Sequence, residues 1–285
     1  MDRMKDQWFA EDHTGAIEPK YTHTHWKIKR TLFTGQSPFQ KLDFFESYDH
    51  GILFALDGLI MTSERDEFIY HEMLTHVPLF THPGPKKVLV IGGGDCGALR
   101  EILKHPAVDN IHLCEIDKMV VEKCEEIFPY VKEVLNNPRI EAFYEDGFDF
   151  LKRNTNIYDI ILVDSTDPVG EALKLFGVPF LGLCHQALAA DGMMVMQCGS
   201  PFYQTQFIKD LQSDMMSVFP LSQIYTASVH SYPGGYWGFI TGSKKYDPLN
   251  DFQADKYEDL NFMYYNDKIH KAAFALPSYF VKQDS

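Results

Sequence analysis

Two acidic residues directly follow a short apolar segment of the sequence. Asp164 comes after the segment 158–163 (YDIILV), and Asp167 lies three positions further on. Paired carboxylates in such a place can raise each other's pKa and act as a base, or they can bind a metal or an ammonium group. No His or Cys in this segment adds a metal ligand. The pattern therefore favours an ammonium ligand, and acids that only cap the loop stay an alternative.

A glycine-rich loop lies earlier in the chain. Gly92, Gly94 and Gly97 follow the apolar segment 87–91 (KVLVI) in the pattern GxGxxG, and Glu115 lies 18 residues after the last glycine. This arrangement is typical of a loop that holds a nucleotide, with the acid on the ribose hydroxyls. A nicotinamide-dependent dehydrogenase and an adenosylmethionine-type enzyme both fit the pattern, and so does a tight turn without a ligand.

Asp95, within this loop, helps to separate those alternatives. A carboxylate there would repel the pyrophosphate of a dinucleotide and attract a cation, by roughly 4 kcal/mol at a separation of about 4 Å and an effective dielectric constant of about 20. The pattern favours a ligand with positive charge near the loop, although an Asp here can also cap the next helix. Asp146 and Gly147, after a later apolar segment, can contact an adenine amino group, but this dipeptide is also a common turn.

These residues need a framework that brings the ends of several strands together. From residue 85 onward, helical segments alternate with the apolar segments 87–91, 110–116, 140–144, 158–163 and 192–197. The alternation predicts an α/β fold with a Rossmann-like, doubly wound sheet, whose ligands bind at the carboxyl ends of the strands. Short alternating strands before it predict an N-terminal β-strand domain at 1–60 and a catalytic domain at 61–285. Ser63 and Asp66 predict a capping box that opens a helix towards His76.

Composition narrows the classes of function. The net charge of −14 argues against a nucleic-acid ligand, which needs clustered Lys and Arg, and leaves room for a cationic one. No stretch is apolar over the roughly 18 residues that a membrane helix requires, so no membrane association is expected. The five cysteines form no CxxC pair, and the N-terminus lacks the pattern of a secretory signal. Reduced thiols and a cytoplasmic location are therefore expected.

Seven motifs, spread over almost the whole chain, resemble those of the spermidine synthases, which are polyamine aminopropyltransferases. They are LDGLIMTSERDEFIYHEMLTHVPL (56–79), VLVIGGGDCGALRE (88–101), EID (115–117), EDGFDFL (145–151), VDSTDPVG (163–170), SYPGGYWGF (231–239) and YYNDKIHKAAFALP (264–277). The resemblance implies a small N-terminal β-domain, a Rossmann-like core of the adenosylmethionine-dependent methyltransferase type, and a homodimer or homotetramer.

The resemblance also implies roles for individual positions. Contacts to the donor or its nucleoside are implied for Gln40, Asp95, Glu115, Asp146, Gly147 and Glu171. Contacts to the polyamine are implied for Tyr70, His71, Asp95, Asp164, Asp167 and Tyr232. Asp164 is the implied proton acceptor, and Tyr70 assists it. Three single positions depart from the family pattern: Met61 stands where a glutamine is common, Cys96 replaces a glycine of the loop, and Glu171 replaces a proline at the start of a lid-like segment. The segment 198–201, which the resemblance implies to line the amine channel, also differs from several relatives.

The implied activity is transfer of an aminopropyl group from decarboxylated S-adenosylmethionine to putrescine, giving spermidine and methylthioadenosine. The donor is then a co-substrate, and no cofactor or metal is expected, because a sulfonium leaves as a neutral thioether. The acceptor stays open among putrescine, cadaverine, agmatine and spermidine. The alternatives are an amine N-methyltransferase that uses S-adenosylmethionine, an NAD-dependent dehydrogenase and a non-catalytic polyamine-binding protein. Asp95 argues against the first two, and a base at Asp164 argues against the third.

Overall fold

The computed structural model describes residues 7–11, 23–168, 170–253 and 260–281, without the side chains of residues 170 and 171. Within these residues the β-strands form two separate sheets, one of five strands and one of seven. The five-stranded sheet comes first in the chain, and helices cover both faces of the other.

The N-terminal sheet is an antiparallel meander. Its strands follow one another in chain order as β1 Gln7–Ala10, β2 His25–Gln36, β3 Lys41–Ser47, β4 Ile52–Leu56 and β5 Leu59–Ser63. Asp57 and Gly58 form the turn between the last two strands with φ of 47° and 86°, the conformation of a tight two-residue hairpin turn. Phe44 stacks on Phe54 at 4.4 Å between ring centroids and lies 6.1 Å from Phe128, so this sheet packs directly on the rest of the chain.

The central sheet has the order β11-β12-β10-β9-β6-β7-β8. Its strands are β6 Lys87–Gly92, β7 Asn110–Cys114, β8 Ile140–Phe143, β9 Tyr158–Asp164, β10 Leu188–Gly199, β11 Ile224–Ala227 and β12 Trp237–Ser243. The five strands from β10 to β8 are parallel, as predicted, and β12 is antiparallel to both of its neighbours. The sheet is therefore mixed, and the Rossmann-like α/β fold is confirmed.

Helices pack on both faces of this sheet. They are α1 Glu67–Thr81, α2 Gly97–Leu103, α3 Lys118–Ile127, α4 Pro129–Leu135, α5 Gly147–Arg153, α6 Val178–Ala187, α7 Thr205–Val218, α8 Asp267–Ala272 and α9 Ser278–Val281, with 3-10 helices at Gly170–Phe176 and Pro233–Gly235. In β6, Val88 and Val90 face α1 to α4, and Leu89 and Ile91 face α5 to α7. Because both faces are covered, the parallel strands at the centre of the sheet are mostly apolar, such as KVLVI in β6 and IILV in β9.

The strand order reverses between β6 and β9. Strands β7 and β8 extend the sheet from β6 in one direction, and β10 extends it from β9 in the other. The carboxyl ends of β6 and β9 thus flank the crevice in which open α/β sheets bind their ligands. Gly92 pairs with Asp164 at these two ends, so the glycine-rich loop and the first of the paired acids begin side by side.

The expected division of the chain at residues 60 and 61 stays a prediction. Strand β5 crosses that point within the N-terminal sheet, and α1 begins four residues after it ends. The capping box expected there is not formed: Asp66 is the N-cap residue, but its side chain accepts a hydrogen bond from the Ser231 N–H (2.7 Å) instead. In the part of the chain that the structure describes, no helix is long and apolar enough to cross a membrane.

Helix α1 is buried on every side from residue 69 to residue 81, which is typical of a helix inside the core rather than on its surface. Its Glu72 accepts backbone hydrogen bonds from Met263 (2.7 Å), Tyr264 (2.8 Å) and Tyr265 (2.7 Å). A single buried carboxylate thus satisfies three N–H groups of the C-terminal segment and fastens that segment to the centre of the fold.

Replacing Glu72 by alanine is expected to lower the free energy of unfolding by about 3 kcal/mol or more, because three N–H groups lose their acceptor at ~1–3 kcal/mol each. Urea denaturation followed by circular dichroism measures the change. Glu133→Ala, at an exposed position of α4, is the control and should stay within about 0.5 kcal/mol of the unmodified chain. Equal stability of both variants would show that Glu72 does not fasten the C-terminal segment.

Candidate active site

Asp164 and the glycine-rich loop are joined through their backbones. The N–H of Gly93 donates to the carbonyl oxygen of Asp164 at 2.8 Å. Gly92 has φ of 78°, and a Cβ on it would lie 2.2 Å from the same oxygen. Only glycine fits there, because any side chain would break the contact between the loop and the end of β9.

The Asp164 side chain is only 10% exposed, and its carboxylate has one firm partner. The Tyr70 hydroxyl donates to its Oδ1 at 2.8 Å. Its Oδ2 lies 3.9 Å from Nε2 of His71 and accepts no hydrogen bond from any residue that the structure describes. Burial raises the pKa of Asp164 to about 6, partly offset by the nearby charge of His71. A carboxylate with such a pKa can take up a proton near neutral pH and release it again.

Asp95 is buried but is held in its charged form. Its Oδ2 accepts from the Thr62 hydroxyl (2.5 Å) and its Oδ1 from the Gly97 N–H (3.1 Å), with His71 Nε2 at 3.5 Å from Oδ1. Burial opposes ionisation, but His71 and these hydrogen bonds together lower the pKa of Asp95. The N-cap residue of α2 is Cys96 and not Asp95, so the bond from Gly97, the first residue of α2, holds Asp95 from one position before the cap.

His71 lies between the two acids. Its Nδ1 is 2.5 Å from Oε2 of Glu67, which leaves Nε2 facing Asp95 and Asp164. Burial lowers the pKa of the imidazole, but Asp95 and Glu67 outweigh burial and raise it well above the usual value. A Cβ on Gly97 would lie 2.3 Å from the ring, so the third glycine of the GxGxxG pattern makes room for this imidazole.

Gln40 and Glu115 meet on the other side of the loop through Asp117. Gln40 donates to Asp117 Oδ2 at 3.0 Å, and Ser37 donates to the same oxygen at 2.6 Å. Glu115 Oε1 accepts the N–H of Asp117 at 2.8 Å, and a Cβ on Gly94 would lie 3.3 Å from its Oε2. Burial raises the pKa of Glu115 to about 7. Side chains beside the N-terminal sheet and after the end of β7 thus form one acidic cluster next to the glycine-rich loop.

Asp146 caps helix α5, and Gly147 is the first residue of that helix. Oδ1 of Asp146 accepts the Phe148 N–H at 2.7 Å, and Oδ2 lies 3.3 Å from Nζ of Lys174 in the 3-10 helix Gly170–Phe176. The dipeptide therefore begins a helix and not a free-standing turn, and among the described residues the second oxygen is engaged by an exposed lysine. The side chain expected at Glu171 lies outside the described part of the chain.

Asp167 lies at a small cavity of about 30 Å³. The lining residues are Glu11, Leu59, Ile60, Met61, Tyr70, Ser165, Thr166, Asp167, Gln197, Tyr232, Pro233 and Trp237. Burial raises the pKa of Asp167 to about 6, against a hydrogen bond from Gln197. The Tyr232 hydroxyl donates to the carbonyl oxygen of Met61 at 2.6 Å, and its ring packs edge-on against Tyr70 at 5.6 Å.

Glu11 is a second acid of this cavity that the sequence patterns did not indicate. It follows β1, accepts hydrogen bonds from the Ile60 N–H (2.9 Å) and the Trp26 indole (3.4 Å), and burial raises its pKa to about 7. No motif surrounds it, so only the fold reveals it. Thr62 and Glu67 were also missed, although both lie inside the quoted motif 56–79.

His71, Asp95 and Asp164 are residue types that can bind a metal, and each offers one atom within 4.8 Å of the others. An imidazole must be neutral to bind a metal, and Asp95 and Glu67 raise the pKa of His71, which opposes metal binding there. Carboxylates in such a place can also pair with an organic ammonium group. The preference for an ammonium ligand stays a prediction.

Comparisons with known proteins give the family. Two family models match the chain, the spermine/spermidine synthase domain over residues 67–254 and the spermidine synthase tetramerisation domain over residues 7–64. The polyamine aminopropyltransferase of Bacillus subtilis is 44% identical over 276 residues, which cover 97% of this chain and 98% of that one. The enzyme of the same name from Shouchella clausii is 45% identical over 272 residues, with coverage of 95% and 97%.

A solved structure agrees with this result. A spermidine synthase crystallised with the transition-state analogue AdoDATO has a TM-score of 0.91 and 39% identity, with 98% of this chain and 96% of that one covered. Both the sequence and the fold therefore match along nearly the full length, and the chain belongs to the spermine/spermidine synthase family.

Proposed function

We propose that this enzyme is a polyamine aminopropyltransferase that transfers the aminopropyl group of decarboxylated S-adenosylmethionine to putrescine, giving spermidine and methylthioadenosine. The observation that carries the proposal is the pair of largely buried acids on either side of His71. Asp95 is held as an anion, while Asp164 has a pKa of about 6. Neighbouring acids whose pKa values are pushed apart in this way are suited to two different tasks.

Asp95 is proposed to bind the ammonium of the donor's aminopropyl chain. Its charge persists at all ordinary pH values, because His71 and two hydrogen bonds stabilise it. Ordinary S-adenosylmethionine carries a carboxylate on the same chain, which would meet this anion at close range and be repelled. The same repulsion disfavours the N-methyltransferase alternative, and repulsion of a pyrophosphate disfavours the NAD-dependent dehydrogenase.

Asp164 is proposed to accept the proton of the attacking amine. A primary alkylamine is an ammonium ion near neutral pH, much like a lysine side chain, so one proton must leave before nitrogen can attack. The nitrogen lone pair then forms a bond to the methylene carbon next to sulfur, and the carbon–sulfur bond breaks with its electron pair going to sulfur. The neutral thioether leaves, the product nitrogen becomes positively charged as the sulfonium loses its charge, and the proton stays on Asp164. No metal or other cofactor takes part in this proposal.

Tyr70 and the cavity beside it are proposed to align the acceptor. The Tyr70 hydroxyl orients Asp164, and burial raises the pKa of Tyr70 well above the usual value, so the hydroxyl remains a donor. Asp167 and Glu11 at the cavity can hold the second ammonium of a diamine, and Tyr232 contributes a wall. Holding the amine in line with the donor supplies part of the rate acceleration.

The nucleoside of the donor is proposed to lie along Gln40, Glu115, Asp146 and Gly147, with Glu171 beside it. Glu115 follows β7, the strand next to β6 in the central sheet, where a ribose-binding acid is expected. Oδ2 of Asp146 is free to accept from the adenine amino group once the nearby Lys174 moves aside. Assembly into a homodimer or homotetramer is part of the proposal, supported by the match of residues 7–64 to a tetramerisation domain.

A cytoplasmic location also belongs to the proposal. It is supported by the state of the cysteines, since all five are buried free thiols. Proteins of oxidising compartments would more often pair them. The proposed partners are small molecules, namely the donor and putrescine or a related amine.

Replacing Asp164 by asparagine is expected to lower kcat by about 10²–10⁴-fold, because the side chain keeps its shape but can no longer accept the proton. Methylthioadenosine should bind to this variant nearly as well as to the unmodified enzyme. Steady-state kinetics with the decarboxylated donor and putrescine, together with calorimetry, measure both quantities. A variant with near-normal kcat would remove Asp164 from this role.

The pH dependence of turnover should report the same group. Because Asp164 must be ionised to accept a proton and its pKa is raised to about 6, kcat at saturating substrates should fall about tenfold per pH unit below about pH 6 and level off above it. The sign follows from the raised pKa, which keeps the acid protonated up to a higher pH. Profiles of the unmodified enzyme and Asp164→Asn should differ in this acid limb. An unchanged limb in the variant would assign it to another acid, such as Asp167.

Replacing Asp95 by asparagine tests donor recognition. Loss of the charge should weaken the decarboxylated donor by about 1.5–3 kcal/mol, the range for hydrogen bonds to charged groups. Ordinary S-adenosylmethionine should weaken less or bind better, and methylthioadenosine, which lacks a charged chain, should change least. Calorimetric titration of all three ligands into both proteins makes the comparison. Equal weakening of all three would mean that Asp95 only holds the glycine-rich loop in shape.

A further inference from the structure

We propose that Glu67 and Arg100 are positioning residues for the transfer reaction, which together hold the imidazole of His71 against Asp95 and Asp164. The inference rests on the proposed function, since it concerns the same site. Both residues act through His71 and not on the substrates, and a closed circuit of contacts around the site supports the assignment.

The first contact fixes the direction of the imidazole. Glu67 lies one helical turn before His71 on α1, and its Oε2 is 2.5 Å from Nδ1. This contact leaves Nε2 at 3.5 Å from Asp95 and 3.9 Å from Asp164. Gly97 packs against the ring, so the plane of the ring is already confined. The ring could still flip by 180° about its Cβ–Cγ bond, which would turn a carbon atom instead of Nε2 towards both acids. The hydrogen bond to Glu67 prevents that flip.

The second contact fixes Glu67. Arg100, on α2, donates from its two terminal nitrogens to the two oxygens of Glu67, at 2.9 Å each. A bidentate pair sets the plane of a carboxylate as well as its distance. The Nε of Arg100 donates to Glu101 at 2.9 Å, which holds the guanidinium itself. The Glu67 side chain is only 13% exposed, so solvent screens this pair little.

The third contact returns to the active site. The guanidinium carbon of Arg100 lies 4.8 Å from the ring centroid of Tyr130, and the Tyr130 hydroxyl donates to the backbone carbonyl of Asp95 at 2.9 Å. The circuit therefore runs from Asp95 through His71, Glu67, Arg100 and Tyr130 back to Asp95. The guanidinium of Arg100 thus helps to position the imidazole of His71 through Glu67, and the backbone of Asp95 through Tyr130.

The circuit has a consequence for catalysis. A fixed positive charge at Nε2 stabilises the anion of Asp95 and leaves Oδ2 of Asp164 unengaged. An imidazole that could turn would lose this contact part of the time, and the two acids would then compete for one proton. Small displacements of this kind can cost roughly 10²-fold in rate. Glu67 and Arg100 are therefore expected to affect kcat more than binding of the nucleoside.

A double-mutant cycle tests this, with Glu67→Gln, His71→Gln and the double variant. Each single change is expected to lower kcat by roughly 10²-fold, with methylthioadenosine affinity within about twofold of the unmodified enzyme. If Glu67 acts through His71, the double variant should be no slower than the slower single variant, because residues that act as one unit are non-additive. Losses in kcat that multiply in the double variant would overturn the inference.

A second variant covers the case in which Glu67→Gln does not fold, since that change removes one of the two acids that pair with Arg100. Tyr130→Phe removes one hydroxyl and keeps the ring under the guanidinium. It should lower kcat severalfold in the unmodified enzyme and have no further effect in the His71→Gln background. The same loss in both backgrounds would overturn the inference.

Glu133→Gln is the matched control, because it makes the same chemical change at an exposed site of α4. It should leave kcat within about twofold. The experiment distinguishes failure of the proposed function from failure of the positioning role. If the unmodified enzyme transfers no aminopropyl group, both proposals are overturned. If it is active but the losses in kcat multiply in the double variant, only the positioning role of Glu67 and Arg100 is overturned.

Discussion

The ion pair between His71 and Asp95 is the interaction on which the rest of the site depends. Asp95 is buried and the Asp164 side chain is only 10% exposed, and two neighbouring carboxylates in such a place cannot both ionise without a compensating charge. The imidazole supplies that charge closer to Asp95 than to Asp164. Asp95 therefore stays an anion, while Asp164 has a pKa near neutrality. The first can bind an ammonium group that stays charged, and the second can take up a proton for a time.

The fold produces this arrangement from four separate parts of the chain. Thr62, from the N-terminal sheet, and the glycine-rich loop both hold Asp95, and α1 supplies His71 and Tyr70. Asp164 enters from β9, whose end is fixed to β6 by the reversal of strand order. Helix α1 supplies these side chains from the core, since it is buried from residue 69 to residue 81 and packs against α2 and against β9, β10 and β11 of the central sheet.

Position along the chain predicts the acids that follow strands, because parallel strands bring their carboxyl ends to one edge. Asp164 and Glu115 are of this kind, and the structure places them on either side of the glycine-rich loop. Glu11 could not be predicted, because its place at the cavity depends on how β1 packs against residues far along the chain. The predicted capping box failed for a related reason: Asp66 bonds to Ser231, and a local pattern cannot reveal such a distant competitor.

The most direct measurement of the central claim follows a labelled aminopropyl chain. The enzyme is incubated with decarboxylated S-adenosylmethionine that carries heavy isotopes in that chain. Parallel reactions contain putrescine, cadaverine, agmatine or spermidine, and mass spectrometry measures the masses of the products. The account predicts an amine extended by one labelled aminopropyl unit, formed in equal amount with methylthioadenosine and fastest with putrescine. Methylated amines from ordinary S-adenosylmethionine, or bound amine without any transfer, would contradict it.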